Sequence, residues 1–283
     1  MTLNELRSFF VTSLISIYDR EELLNFFYLV TEKWMNKNRI QFALHHTEGV
    51  DEKTLVIFKN IIHRLAKEEP IQYILGETFF YDSVFTVDHN VLIPRPETEE
   101  LVAWILEDYK NELGFPFSVL DIGTGSGCIA ITLSKNLKAT VNALDVSDPA
   151  LQRAKKNAEI HRQNITWIQG DVLTMQQLPS NYHIIVSNPP YVTNAEKGLM
   201  KNNVLNFEPE KALFVPDTQP LIFYQKIAEL GQQHLFGKGS VYFEINENFG
   251  NNTAQLLKEF GYIDIQLKKD FRGKERFIKG IKK

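Results

Sequence analysis

Apolar residues recur at helical spacing through the first part of the chain. Leu3, Leu6, Phe10, Leu14 and Ile17 share one face, Leu23, Phe26, Phe27 and Val30 continue the pattern, and Leu55, Phe58, Ile62 and Leu65 form a third stripe ended by Pro70. A small helical bundle is predicted over residues 1–72. From Ile71 to Leu92 the period changes: Phe79, Phe80, Tyr81, Val84, Phe85, Val87 and Val91 are aromatic or β-branched around Gly76 and Asp82-Ser83, which predicts a β-hairpin linker over 73–95. The prolines of Ile93-Pro94-Arg95-Pro96 force extended backbone and start a helix at about Pro96, with Glu97, Glu99 and Glu100 placed where they complement the helix dipole. From Val119 onward, short apolar runs alternate with amphipathic ones. Strands are expected near 119–122, 140–146, 165–169, 183–187, 240–245, 263–267 and 275–280, and helices near 97–110, 127–137, 148–161, 218–236 and 250–260. This is the pattern of an α/β domain with a parallel sheet covered on both faces.

Composition supports two domains: 283 residues, 43% apolar and 12% aromatic, suffice for a large core and a smaller one. A formal charge of −4 gives no overall attraction to nucleic acid, membrane or other polyanions. Only the segment from Lys268 to Lys283 is basic, with eight Lys or Arg against two acidic residues; it reads as a local docking surface or as a solvated strand edge. The single cysteine, Cys128, excludes an intrachain disulfide framework, and no signal peptide or membrane-length apolar run is visible, so a cytoplasmic location is expected. The seven histidines form no ligand spacing, His45-His46 lies in a polar stretch, and no metal is expected.

Candidate chemistry begins at Asp121-Ile122-Gly123-Thr124-Gly125-Ser126-Gly127, where a strand runs into a glycine-rich turn that backbone and ligand can approach closely. Nicotinamide, flavin and S-adenosylmethionine binders share such a turn, and a purely structural tight turn is also open. The spacing is GxGxG rather than the dinucleotide GxGxxG, and Asp121 stands where a carboxylate meets a cationic sulfonium or amino group. The second strand ends in Asp145, about 20 positions past the turn, from which a carboxylate can accept both ribose hydroxyls; capping of the following helix suits Ser147 or Asp148 better. Gly170-Asp171-Val172 follows the third strand, and reads either as an adenine site, with Asp171 accepting from the exocyclic amine under Val172, or as a common turn.

The fourth strand delivers Asn188-Pro189-Pro190-Tyr191. An amide or aromatic amino nitrogen is a poor nucleophile because its lone pair is delocalised, so an enzyme that uses it must hold both N–H groups on acceptors. The Asn188 side-chain carbonyl and the Pro189 backbone carbonyl are the two candidates, with Tyr191 packing on the flat substrate and Phe79 or Phe80 from the hairpin narrowing the pocket. A plain turn is the alternative, since Asn-Pro and Pro-Pro are ordinary loop punctuation. No catalytic histidine or dedicated base is assigned, because attack acidifies the nitrogen and its proton can leave through a clamp carbonyl or to water.

Pro70-Ile71-Gln72-Tyr73-Ile74-Leu75-Gly76, Val91 to Glu99, Asp121 to Gly127 and Ser187 to Tyr191 together resemble the PrmC/HemK glutamine methyltransferases over nearly the whole chain. The resemblance implies a class I (Rossmann-like) S-adenosylmethionine-dependent methyltransferase domain over 96–283, preceded by a helical substrate-recognition domain at 1–72 and the hairpin linker. It implies methyl transfer from S-adenosylmethionine, leaving S-adenosylhomocysteine, to the side-chain amide N5 of the glutamine in the Gly-Gly-Gln motif of peptide chain release factors. Cofactor residues then fall on Asp121, Gly123, Thr124, Gly125, Ser126, Gly127, Asp145, Asp171, Val172 and Asn188. The glutamine falls on Asn188, Pro189, Pro190 and Tyr191, with Asn188, Pro189 and Tyr191 carrying the catalysis. A monomer is expected, with no membrane partner and no nucleic-acid substrate.

The chain departs from the family's pattern at Val172, often aromatic in relatives; at Val215 to Pro220, which lacks a usual glycine; and at Asn246, where a glycine is common. The latter two are expected to lie away from the methyl-transfer residues. Adenine-N6 methylation of nucleic acid remains the rival, because a flipped adenine offers the same planar amino group; the lack of a broad basic surface weighs against it. A noncatalytic binder is disfavoured by the combination of glycine turn, Asp145 and clamp, and a nicotinamide oxidoreductase leaves the clamp unexplained.

Overall fold

A computed structural model describes residues 1–111 and 116–283. The chain divides into two units, one formed by Met1–Gly76 with Lys201–Phe207, the other by Glu77–Met200 with Glu208–Lys283. The first unit holds α1 (Leu3–Leu14), α2 (Arg20–Met35), α3 (Arg39–His45), α4 (Glu52–Leu65) and α5 (Ile71–Leu75). Polar caps start the first four: Thr2 and Asn38 form capping boxes with Glu5 and Gln41, and the Asp19 and Asp51 carboxylates accept from Glu22 and Thr54 N–H groups. The buried stripes meet in a cluster of phenylalanines, with Phe27 packed against Phe10, Phe42 and Phe58 at centroid distances of 5.6, 5.3 and 5.7 Å. Ile17 leaves the expected stripe: α1 ends at Leu14, so Ile17 falls in the following turn and is 41% exposed. Ile71–Leu75 is helical rather than the start of the hairpin, and Gly76 at φ 73° ends it.

The second unit opens with the expected hairpin, β1 (Glu77–Phe80) and β2 (Ser83–Thr86), and the long helix α6 (Pro96–Tyr109) follows with proline in its first turn. Then come β3 (Phe117–Ile122), α7 (Cys128–Asn136), β4 (Ala139–Asp145), α8 (Asp148–His161), β5 (Ile165–Gln169), β6 (Tyr182–Ser187) and the short β7 (Val192–Thr193). The helix α9 (Asn202–Phe207) is grouped with the helical unit, where Asn202 Nδ2 donates to Glu68 at 3.1 Å. The chain finishes with β8 (Phe214–Val215), α10 (Ile222–His234), β9 (Leu235–Glu244), α11 (Gly250–Glu259), β10 (Tyr262–Lys269) and β11 (Glu275–Lys282).

Among the described residues seven strands form one sheet in the order β10-β11-β9-β6-β3-β4-β5, with β11 running opposite to the other six. Every expected strand of this sheet is present, although β9 starts earlier, at Leu235. The basic segment is the terminal hairpin of the sheet, with β10 at the edge, and Lys279, Lys274 and Arg276 are paired with Asp108, Glu247 and Asp270 respectively. Strand order reverses between β3 and β6, where ligands of open α/β sheets bind at the carboxyl ends. The sheet's two faces carry separate cores. Phe80 belongs to one of them, fully buried against Phe85 with Val102 and Trp104 in the same cluster, while Phe79 is 61% exposed on the other side of its strand. Phe80 is therefore a core residue, not a wall of the substrate pocket.

The hairpin is tied to the glycine turn by one buried side chain. Asn157 Oδ1 accepts from the Thr86 N–H and hydroxyl at 2.9 and 2.6 Å, and its Nδ2 donates to the Thr86 and Ser126 carbonyls at 3.0 and 2.8 Å. All of its hydrogen-bonding capacity is spent inside the protein. Asn157→Ala orphans several of these groups and is expected to lower unfolding stability by about 2–3 kcal/mol; a urea-denaturation midpoint unchanged from wild type would contradict this.

Candidate active site

The parallel pairing of β3 with β6 sets Ile122 beside Ser187, so the glycine turn and Asn188 leave the sheet side by side. Ser187 Oγ reinforces the pairing by donating to the Ile122 carbonyl at 2.6 Å. The turn needs its glycines: Gly123, Gly125 and Gly127 have φ of 74, 55 and 82°. The Gly123 and Thr124 N–H groups donate to the Leu144 carbonyl at 2.8 and 3.1 Å, anchoring the turn to β4. Gly127 has a second duty, since a Cβ there would lie 3.1 Å from both Ala154 Cβ and Ile131 Cδ1; its missing side chain lets α7 and α8 close on the turn. Ser126 contributes its backbone carbonyl to Asn157.

Two buried carboxylates face this turn. Asp121 is fully buried; its Oδ2 accepts from Thr124 Oγ1 at 2.7 Å and the Ala130 N–H at 3.2 Å, while Oδ1 is buried without a partner among the described residues. Burial pushes its pKa up to about 7, against the pull of the Thr124 hydroxyl and Ala130 N–H. Asp145, 9% exposed at the end of β4, accepts from the Gly125 N–H through Oδ2 and the Ser147 N–H through Oδ1, both at 2.9 Å. Burial raises its pKa also, with the same N–H groups opposing. Capping of α8 falls to Ser147, whose side chain accepts from Ala150, as the sequence suggested. Asp171 Oδ1 accepts from the Leu173 N–H at 2.9 Å while its carbonyl accepts from Thr174 and Met175, so it closes a turn on itself. Val172 is 5% exposed and packs in the core with Leu120, Ile122 and Leu144.

Asn188-Pro189-Pro190-Tyr191 is held from below. Asn188 Nδ2 donates to Thr98 Oγ1 at 3.2 Å, Thr98 Oγ1 donates to Glu244 Oε2 at 2.6 Å, and Tyr191 donates its hydroxyl to Glu244 Oε1 at 3.0 Å. Glu244 is 1% exposed, and burial lifts its pKa while the Thr98 and Tyr191 hydroxyls pull it back. The Tyr224 hydroxyl donates to the Glu244 carbonyl at 3.1 Å. Asn246 Nδ2 donates to the Tyr191 carbonyl at 3.1 Å and to Glu196, which itself accepts from Thr193. Asp217 accepts from the Ala195 N–H, and Val215 pairs with Thr193 in the β7–β8 ladder. Asn246 therefore touches Tyr191 rather than lying away from the methyl-transfer residues, whereas the contacts of Val215 and Asp217 fall on Thr193, Asn194 and Ala195, beyond that tetrapeptide. Glu208, also buried, pairs with Arg95 and accepts from the Ile93 N–H, fixing the proline-rich segment that leads into Thr98.

Thr98, Glu244 and Asn246 escaped the sequence reading as site residues. One signal was present: Glu244 ends an apolar strand, Val241-Tyr242-Phe243, at the same sheet edge from which Asp121 and Asp145 project. Thr98 lies inside the quoted Ile93–Glu99 segment, but its partner is 146 residues away.

The seven-stranded sheet with its reversal at β3 and β6, and a glycine turn beside Asn188-Pro189-Pro190-Tyr191 at that reversal, are those of a class I methyltransferase. A model of the methyltransferase small domain matches residues 103–207 and one of the PrmC N-terminal domain matches residues 10–76. Over 281 residues the chain is 46% identical to the release factor glutamine methyltransferase of Flavobacterium psychrophilum, covering 99% of both chains. It is 49% identical over 222 residues to that of Bacteroides thetaiotaomicron, covering 78% of each. The chain belongs to the release factor glutamine methyltransferase family. Among solved structures, the hMettl16 catalytic domain in complex with the MAT2A 3′UTR hairpin 6 has a TM-score of 0.55 at 17% identity, covering 81% of this chain and 82% of that one. The fold alone is shared there.

The last two glycines of the turn should respond differently to alanine. Gly125→Ala meets nothing within 4 Å and carries only the strain of positive φ, about 1 kcal/mol, whereas Gly127→Ala adds contact with Ala154 and Ile131 and should cost about 2–4 kcal/mol. Equal losses in urea-unfolding free energy would contradict the packing role of Gly127.

Proposed function

We infer that this enzyme transfers a methyl group from S-adenosylmethionine to a glutamine side-chain amide of peptide chain release factors, and that its target is N5 of the glutamine in a Gly-Gly-Gln motif. The observation that carries the reading is the Asn188 amide: its Nδ2 donates to Thr98, which leaves Oδ1 as the acceptor end, and the Pro189 carbonyl follows it in the chain. Two acceptors so placed match the two N–H groups of a primary amide and orient its nitrogen. The full-length likeness to release factor glutamine methyltransferases supports glutamine over adenine as the group held there. Residues 1–72 are proposed as the part that recognises the protein substrate, with 73–95 as the linker and 96–283 as the catalytic domain.

The residues present fit the cofactor. Asp121 Oδ1, buried and unpartnered, is matched to a cationic amino group; the glycine turn offers backbone without Cβ interference; and Asp145 supplies carboxylate oxygens for ribose hydroxyls. Asp171 and Val172 flank the remaining edge as candidates for the adenine. S-adenosylmethionine supplies a methyl group on a sulfonium and departs as the neutral thioether S-adenosylhomocysteine. Asn188 Oδ1 and the Pro189 carbonyl hold the glutamine nitrogen in line with that methyl, Pro190 stiffens the turn, and Tyr191, fixed through its hydroxyl, walls the pocket. As the new N–C bond forms, one N–H proton becomes strongly acidic and leaves to water, restoring a neutral amide.

Labelled S-adenosylmethionine offered with unmethylated release factor or with adenine-containing DNA should label a glutamine of the release factor; label on DNA alone would overturn the reading. Asn188→Ala should lower kcat at least about 100-fold while cofactor affinity changes far less, and a variant of wild-type rate would contradict the clamp. Asp121 gives a pH test. A cation binds its ionised form, so cofactor affinity should rise as pH increases through about 7 and fall below it. Calorimetric titration of Asp121→Asn should show weaker binding and lose that dependence; the same slope in the variant would remove Asp121 from the cofactor site.

A further inference from the structure

We propose that Glu244, acting through Thr98, is a positioning device that decides which end of the Asn188 amide faces the substrate. The inference rests on the clamp reading above and goes beyond it by naming what makes the clamp an acceptor. An asparagine amide has nearly the same shape in its two flipped orientations, but one presents an oxygen and the other an NH2 group. Only the oxygen can receive a substrate N–H; the flipped amide would set donor against donor.

The choice is made by proton counting. A carboxylate accepts and does not donate, so Glu244 Oε2 takes the single proton of the Thr98 hydroxyl at 2.6 Å. Thr98 Oγ1 then has only lone pairs to offer Asn188, and accepts from Nδ2 at 3.2 Å. The Asn188 carbonyl oxygen is left on the opposite side. Exposures of 1% at Glu244 and 3% at Thr98 limit the water that could serve either group instead, so reversing the polarity would leave a buried Glu244 oxygen without a donor. The other carboxylate oxygen binds the Tyr191 hydroxyl at 3.0 Å, so one buried charge sets both ends of the Asn188–Tyr191 tetrapeptide.

The test compares Thr98→Val, Thr98→Ser and Glu244→Gln in the full-length enzyme, alone and combined with Asn188→Ala, using release factor and labelled S-adenosylmethionine. Thr98→Val should reduce kcat about 10–100-fold, with KM for release factor and cofactor affinity nearly unchanged, and Thr98→Ser should restore most of it. In the Asn188→Ala background Thr98→Val should cost almost nothing more, because the group it orients is gone. Glu244→Gln offers one acceptor and one donor to two hydroxyls, so it should also lower kcat, with the same dependence on Asn188. An equal loss from Thr98→Val in both backgrounds, or unchanged kcat without Asn188→Ala, would overturn the proposal. A readout independent of turnover is the NMR signal of the Asn188 side-chain NH2, assigned by its loss in Asn188→Ala. Its hydrogen exchange should be slow in wild type and faster in Thr98→Val, and equal exchange would also overturn the relay. Wild-type enzyme that leaves release factor unlabelled would defeat the reaction assigned above, and the relay would then be decided by the exchange result.

Discussion

Everything at the site depends on β3 and β6 lying next to each other. Their backbone pairing brings Ile122 and Ser187 into register, and the two chain segments that leave the sheet there must diverge, one into the glycine turn and the other into the Asn-Pro-Pro-Tyr clamp. The gap opened by that divergence is a property of strand order, not of any one side chain. Residues 65 apart in sequence thereby become neighbours fixed by ladder hydrogen bonds, with the Ser187 hydroxyl adding one more across the junction. A methyl donor and a nitrogen acceptor must approach within bonding reach with little tolerance, and a sheet is a rigid support for both.

The carboxyl edge of the sheet also concentrates buried charge. Asp145 and Glu244 end their strands and Asp121 is the penultimate residue of β3, and burial works against the ionised form of all three. Their compensation differs. Asp145 and Glu244 have both side-chain oxygens supplied with donors from the protein, whereas Asp121 has one oxygen served and one not. Asp145 thereby holds the backbone of Gly125 and Ser147, Glu244 holds the hydroxyls of Thr98 and Tyr191, and Asp121 keeps one buried oxygen without a donor among the described residues.

The large elements were legible because each is long enough to carry its own period. The parallel strands are continuous apolar runs and α6 and α8 begin with proline next to acidic residues, so pattern and punctuation agreed. Short elements carry no such signal: α5 spans five residues, β7 and β8 two each, and Gly237 to Gly239 of β9 reads as a loop because of its glycines and lysine. At the site, the glycine turn and clamp were readable because unusual residues stand together. Thr98 and Glu244 were not, since a lone threonine in a helix and a lone glutamate after a strand acquire meaning only when tertiary folding brings them to 2.6 Å. Phe80 erred in the other direction; hairpin aromatics look alike in sequence, and strand alternation sent Phe80 inward and Phe79 out.

The assignment of Lys201–Phe207 to the helical unit means that the backbone passes between the two units three times, after Gly76, after Met200 and after Phe207. The second and third passages bracket a short helix that begins eleven residues beyond Tyr191 and ends immediately before Glu208, the partner of Arg95. The catalytic unit is thus not a continuous piece of polypeptide. A fragment starting at Glu77 would still contain α9 but none of the helices with which it folds, so the family's modular appearance in sequence conceals an interleaved chain.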